Sequence, residues 1–226
     1  QILKNISFSV KAGERFAIVG ATGSGKSTIA KVLLRLNDIE SGRILINGVN
    51  ALDLPLNCLR NQISYTPQKA YIFSGKIKDN FRFTNKDMTD EEMIKIAKIA
   101  QSYDFIDSLP DKFDSFVAQG GINFSGGQKQ RLSIARALSK DANIYLFDDS
   151  FSALDYATDA KLRKELKTFL KDKITIIIAQ RLNTIADADK IIVLKDSEIT
   201  GMGTHQELLE SNQEYIELAK SQGILE

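Results

Sequence analysis

Four short apolar runs punctuate the chain: Phe16–Val19, Ile144–Phe147, Ile174–Ala179 and Ile191–Leu194. Each is continuous rather than alternating, which is the pattern of strands covered on both faces. Helical periods alternate with them. "KSTIAKVLLRL" follows the first run and "DAKLRKELKTFL" follows the second. This alternation predicts a wound parallel sheet, an α/β fold. "GRILINGVN" differs, because its short strand meets Asn47-Gly48, a strong hairpin signal. A small antiparallel β element is therefore expected early in the chain. The middle is helical. "TDEEMIKIAKIAQ" opens with a capping box, Thr89 to Glu92, and keeps Met93, Ile96, Ala97 and Ala100 at helical spacing. "SGGQKQRLSIARALSK" puts Leu132, Ala135 and Leu138 on one face, and no strong strand separates the two segments. The expected layout is one domain, with residues 1–69 and 141–226 as an α/β core and residues 70–140 as an inserted α-helical subdomain.

Composition narrows the picture only slightly. With 226 residues, 43% hydrophobic and 26% charged, the chain reads as an ordinary globular protein with room for a sizeable core. A net charge of +1 gives no electrostatic case for nucleic acid or an anionic membrane surface. The single cysteine, Cys58, allows no internal disulfide, and the expectation is a reducing compartment. No apolar run approaches the ~20 residues of a spanning helix. The opening "QILKNISFSV" reads as mid-domain strand and turn, so further chain upstream is expected.

The chemistry sits at strand ends. "GATGSGKST" comprises Gly20, Ala21, Thr22, Gly23, Ser24, Gly25, Lys26, Ser27 and Thr28, and it fits G-x-x-x-x-G-K-[ST]. It follows the run "ERFAIV" and precedes a helix, the context of a phosphate-binding loop in a P-loop NTPase (RecA-like) core. Glycines let the backbone wrap closely around phosphate, and the helix N-terminus adds partial positive charge. Lys26 would bridge the β- and γ-phosphates of ATP, and Ser27 would hold Mg²⁺. "IYLFD" delivers Asp148 as a second Mg²⁺ ligand. Alone, a strand-end Asp reads as a turn former or helix cap; the phosphate loop is what favours the metal reading.

At "NFSGGQKQRLSIARAL" the sequence resembles the nucleotide-binding domain of an ABC transporter. The family signature is Leu-Ser-Gly-Gly-Gln, and here Phe124 precedes Ser125, Gly126, Gly127 and Gln128. The resemblance covers nearly the whole chain. It implies that Ser125–Gln128 contact the γ-phosphate of ATP held by a second such domain in a head-to-tail dimer. "ISYTPQ" resembles the Q-loop, which implies Gln68 as a Mg²⁺ ligand and relay to membrane domains. "SALD" resembles the D-loop, with Asp155 at the dimer interface. "YIFSGKIKDNF" and "GTHQELL" resemble exporter-type segments. The family stacks adenine on an aromatic residue upstream of the phosphate loop, a position this sequence does not reach, so no adenine platform is assigned. The implied partners are transmembrane domains upstream on the same polypeptide, at the cytoplasmic face of the membrane, and no nucleic acid.

Three departures from the family pattern stand out. The residue after Asp148, normally a Glu that polarises the attacking water, is Asp149, one methylene shorter. The switch position before Arg-Leu, normally His, is Gln180, which cannot carry an imidazole's proton. Phe116 and Gln119 replace the usual acidic residues before the signature, and Lys76 stands where exporters commonly have Thr. The catalytic candidates are thus Asp149, Gln180 and Lys26. The first two departures fall on this chain's own phosphate face and leave its signature nearly intact. That asymmetry suggests a heterodimer in which this face turns ATP over slowly. The one histidine, His205, follows Thr204 in a capping box with Glu207 and reads as an exposed first-turn residue. Among rival readings, a DNA-associated ATPase head would need a long coiled coil between phosphate loop and signature. Only about 100 residues intervene, without a heptad run. A translation-type protein would carry two such domains. A non-hydrolysing nucleotide sensor and an importer-type ATPase remain as alternatives.

Overall fold

All four continuous apolar runs form strands of one sheet, and they are parallel to one another. The computed structural model describes residues 2–225. In chain order its elements are β1 (Arg15–Gly20), α1 (Lys26–Leu33), β2 (Leu45–Ile46), β3 (Val49–Asn50), α2 (Leu56–Gln62), β4 (Ile63–Thr66), β5 (Gly75–Lys76) and α3 (Ile77–Arg82). There follow α4 (Asp90–Ile99), α5 (Tyr103–Asp107), β6 (Phe116–Val117), α6 (Gly126–Leu138), β7 (Ile144–Asp148) and α7 (Tyr156–Phe169). The chain ends with β8 (Ile174–Ile178), β9 (Lys190–Lys195), β10 (Glu198–Gly203), α8 (His205–Ser211) and α9 (Gln213–Ser221). The sheet order is β10–β9–β1–β8–β7–β4, with β10 antiparallel to β9.

Contacts divide the chain into two units. The first lies within Gln1–Ser64, Ala142–Asp148 and Asp172–Glu226. All six residues of β1 are buried, and Phe16–Val19 and Ile191–Val193 are fully inaccessible. This is why their sequences are unbroken hydrophobic runs: helices cover both faces and leave no polar side. The charge of Arg15, 8% exposed, is neutralised by Asp187, whose Oδ2 lies 2.6 Å from Arg15 Nη1. The predicted hairpin is β2–β3, closed by Asn47 (φ 50°) and Gly48 (φ 81°), the paired left-handed residues that a tight two-residue turn requires. Helix α9 packs its buried Tyr215 and Ala219 inward, against β1 and β9.

The second unit comprises Tyr65–Asp141 and Asp149–Lys171. Its core is helical, with Ile77 and Phe81 of α3, Met93 of α4 and Ile134 of α6 all buried. Thr89 caps α4 in the expected box with Glu92. Between α4 and α6 the only strand among the described residues is the two-residue β6, paired with β5. Asn80, 1% exposed, accepts the Phe73 N–H at 2.8 Å and donates to the Phe73 carbonyl at 2.9 Å. Asp114 accepts from both Lys76 and Lys78 at 2.7 Å, so the segment after Gln68 is tied to the one before the signature.

His205 differs from the exposed residue that its sequence predicts. It is half-buried, and its Nδ1 lies 2.7 Å from the hydroxyl of Tyr215, whose burial pushes the phenol up to about 12. The Thr204–Glu207 box is present, but the side chain turns toward α9 rather than solvent.

At Gly20 a Cβ would stand 2.2 Å from the Leu194 carbonyl oxygen and 2.8 Å from Ser24 Oγ. The first is backbone of the neighbouring strand and cannot step aside. Gly20→Ala is expected to lower unfolding stability by about 1–3 kcal/mol, the usual cost of overpacking. Urea denaturation of the purified chain measures it.

Candidate functional site

In the first unit, β1 runs straight into the phosphate loop. Its final residue, Gly20, brings backbone within reach of β9, as the Leu194 distance shows. The loop then enters α1 through Gly25, which supplies no side-chain cap to the first turn. Ser24 Oγ is buried with no hydrogen-bond partner among the described residues. Lys26, 8% exposed, folds back so that its ammonium donates to the Gly20 and Ala21 carbonyls, both at 2.7 Å. These features suit an anion cradle: close backbone, an uncapped helix start and a buried cation aimed along the loop.

Asp148 ends β7 and is 3% exposed. Ser27 Oγ donates to its Oδ1 at 3.0 Å. A hydroxyl and a carboxylate held together are hard oxygen donors of the type Mg²⁺ prefers. The donor set therefore fits the metal that the sequence predicts, with Ser27 and Asp148 as the ligands this unit would supply.

In the second unit, Gln68 Nε2 donates to Asp149 Oδ2 at 3.2 Å. If Gln68 also ligates a metal, its amide oxygen is the atom suited to it, since the nitrogen has no lone pair to give. Asp149 has φ 47°, a left-handed backbone, and its own carbonyl accepts from Ser152 Oγ at 2.9 Å. The residue is 9% exposed.

The signature opens α6. Ser125 Oγ accepts the Gln128 N–H at 3.2 Å, and Gln128 Oε1 accepts the Ser125 N–H at 2.9 Å. This reciprocal box fixes the helix start while Gly126 and Gly127 remain bare. A Cβ at Gly126 would meet nothing within 4 Å, and one at Gly127 only the Ala153 carbonyl at 3.5 Å. Packing inside the unit gives no reason for either glycine, although each costs helix stability compared with Ala. Phe124 takes the position of the family's Leu and is 8% exposed, with its ring edge-on to Phe105 at 6.2 Å.

Asp155 caps α7, accepting the Thr158 N–H at 2.9 Å, and its hydrogen bonds from Thr158 hold the carboxyl below its ordinary range. Gln180 lies just beyond β8, exposed, with its backbone carbonyl bonded to the side chain of Gln222. Gln222 is not among the residues that the sequence singles out, and nothing local to it signals a role.

Residues 3–152 match the family model described as "ABC transporter". An uncharacterized ABC transporter ATP-binding protein of Bacillus subtilis is 45% identical over 98% of this chain and 38% of its own length. The mitochondrial iron-sulfur clusters transporter atm1 of Aspergillus fumigatus is 43% identical over 98% of this chain and 31% of its own length. A putative multidrug export ATP-binding/permease protein of Staphylococcus aureus is 41% identical over 99% of this chain and 39% of its own length. Among solved structures, a bacterial Atm1-family ABC exporter with ATP bound superposes with a TM-score of 0.95 and 40% identity. That match covers 98% of this chain and 39% of the other. The chain thus spans about a third to two fifths of the relatives it matches.

Two outcomes follow from this geometry. Gly126→Ala should raise unfolding stability by about 0.5 kcal/mol, because a methyl there restores helix propensity and meets open space; a urea titration tests it. The Asp114 carboxyl, held down to about 2 first by the Lys76 hydrogen bond and then by that of Lys78, should titrate near that value in a carbon-detected NMR experiment. Because its folded pKa is depressed, the clamp's contribution is present above pH ~4 and is lost as pH falls toward ~2. Lys76→Thr should raise the titration midpoint.

Proposed function

Since the chain belongs to the ABC transporter family, as its ATP-binding domain, we propose that it binds Mg²⁺–ATP on its own phosphate loop and powers an exporter. Two copies of such a domain would close head to tail around nucleotide, with transmembrane domains on the same polypeptide and the pair at the cytoplasmic face of the membrane. The export direction rests on the names of relatives, two of which are an exporter and a multidrug export protein.

Each residue's part in the reaction is the one the family resemblance implies, and its chemistry suits it. Lys26 would exchange its loop carbonyls for the β- and γ-phosphate oxygens. Ser27 and Asp148 would hold Mg²⁺, with Gln68 contributing its amide oxygen. Mg²⁺, when bound, would neutralise negative charge on the β- and γ-phosphates. Asp149 would accept a proton from the attacking water, with Gln68 orienting its carboxylate. Gln180 would donate its amide N–H to the γ-phosphate. Ser125 and the backbone of Gly126 and Gly127 would approach the γ-phosphate held by the partner domain, and Asp155 would lie at that interface.

The observation that carries this reading is the pair of bare glycines held at a rigidly capped helix start without any packing need within their unit. A backbone left open at a cost in stability is suited to an anion arriving from another chain.

We further infer a non-identical partner. A general base must come within ~2.6–3.2 Å of its proton, and Asp149 is one methylene short of Glu. With Gln180 in place of His, this chain's own site would hold ATP and turn it over slowly. The site built on the partner's phosphate loop and this chain's Ser125–Gln128 would do most of the hydrolysis.

Steady-state ATPase assays on the chain alone, on its Asp149→Glu/Gln180→His variant, and on mixtures with a Glu- and His-bearing partner domain test this. The double variant should be faster by roughly ten- to a hundredfold, the scale of a ~1 Å correction in placement. Wild-type chain should raise the partner's rate, and Gly126→Ala should abolish that stimulation without unfolding the chain. Equal rates for wild type and double variant would end the slow-site reading. Absence of any partner stimulation would instead favour a nucleotide sensor.

A further inference from the structure

We propose that Gln222 is a positioning residue for the terminal-phosphate face, acting through the loop that carries Gln180. The inference rests on the functional reading above, in which Gln180 meets the γ-phosphate.

β8 stops at Ile178, and Ala179 makes the last strand-like bond, to the Ile18 carbonyl at 3.1 Å. A one-turn helix begins at Leu182. The backbone between these points has left the sheet and has not yet entered a helix, so its polar groups need partners from elsewhere. Gln222 supplies two at once. Its Nε2 donates to the Gln180 carbonyl at 2.8 Å, and its Oε1 accepts the Leu182 N–H at 2.8 Å. One primary amide thus brackets Arg181 from both sides, as a peptide unit of a neighbouring strand would. Leu182 is buried, and the partner of its N–H is the Gln222 side chain.

The requirement is chemically narrow. The side chain must donate and accept in one plane at the end of a two-carbon stem. Glutamine does this; glutamate, when ionised, only accepts.

Gln222 is also firmly mounted. It is the C-cap of α9, and its own N–H reaches the Leu218 and Ala219 carbonyls at 3.2 and 3.3 Å. The Ile224 N–H closes back on the Ala219 carbonyl at 2.9 Å. At the other end of α9, Asn212 caps the helix through the Tyr215 N–H and donates to the Thr200 carbonyl at 3.0 Å. Tyr215 is fully buried and meets His205. The amide therefore transfers the fixed position of α9 to the loop of residue 180. A loop held this way presents the Gln180 side chain at one height above the strand ends. Released, the loop would drift, and the Gln180 hydrogen bond to the third phosphate would weaken with it.

The test is nucleotide selectivity in the intact transporter. ATP and ADP dissociation constants are measured for wild type, Gln222→Ala, Gln222→Glu, Gln180→Ala and Gln222→Ala/Gln180→Ala. Hydrogen exchange is followed over residues 179–185 and 213–221. Both Gln222 variants should weaken ATP roughly three- to tenfold, the scale of one or two hydrogen bonds, and leave ADP unchanged. Exchange should speed in 179–185 and not in 213–221. In the Gln180→Ala background, Gln222→Ala should change the ATP-to-ADP ratio no further, because the two residues act through one hydrogen bond to the nucleotide. An unchanged ratio in Gln222→Glu, which keeps the stem length, overturns the proposal. So does equal weakening of ATP and ADP, the mark of a helix that merely docks. Wild-type protein that binds neither nucleotide would overturn the functional reading itself, a result distinct from either.

Discussion

Three parallel strands share a common row near their ends. Ile18 of β1 lies beside Ile178 of β8, and Ile178 lies beside Asp148 of β7. Everything the first unit offers to a phosphate springs from that row. Two residues beyond Ile18 is Gly20, where the loop begins; two beyond Ile178 is Gln180; Asp148 is the row itself. A slip of one residue in β7 would carry the Asp148 carboxylate ~3.3 Å along the strand and turn it to the opposite face. The Ser27 hydroxyl would then lose its bond to Asp148. A strand apolar on both faces does not by itself fix its register, so the polar residues at the ends of these runs do: Arg15 meets Asp187 at the start of β1, and Asp148 meets Ser27 at the end of β7.

The two halves of the chemistry are built by different means. The phosphate loop depends on tertiary register, with glycine demanded by the closeness of β9 at Gly20. The signature depends on local capping. Ser125 and Gln128 satisfy each other three residues apart, and the glycines between them are demanded by nothing in their own unit. The first kind of glycine is structural and its loss should be felt as instability. The second kind has no packing reason within its unit, which the proposed contact with a partner domain would supply. A sequence motif alone does not separate these cases; the space around each missing Cβ does.

This contrast also explains what is legible in the sequence. Capping boxes at Thr89 and Thr204 are contained within four residues, so their side chains declare themselves. The four buried strands and the Asn47-Gly48 hairpin are equally plain. Strand β4 does not stand out as a strand, because four residues directly after α2 carry too short a pattern to distinguish from the helix end. β10 is hidden for another reason: "EITGMG" alternates weakly, contains two glycines, and sits at the sheet edge with one face exposed. His205 reads wrongly from sequence because its box is local while its partner, Tyr215, depends on how α8 meets α9. Gln222 lies 42 residues from Gln180, and only the fold joins them.

The backbone at Asp149 gives the shortened side chain a physical context. Its φ of 47° lies in the left-handed region, where Asp is several-fold enriched among non-glycine residues. A longer side chain there forgoes the local hydrogen bonding that eases Asp into this conformation, against a backbone cost of order 1–2 kcal/mol. Asp and Glu at this position therefore answer to opposite demands. Glu reaches one methylene further. Asp rests more easily on the backbone and lets Gln68 hold its carboxylate at 3.2 Å. The side-chain amide of Gln180 can donate a hydrogen bond but cannot take up and pass on a proton, and Gln222 fixes only its backbone carbonyl. Against the family pattern, Asp149 thus gives up reach and Gln180 gives up proton transfer.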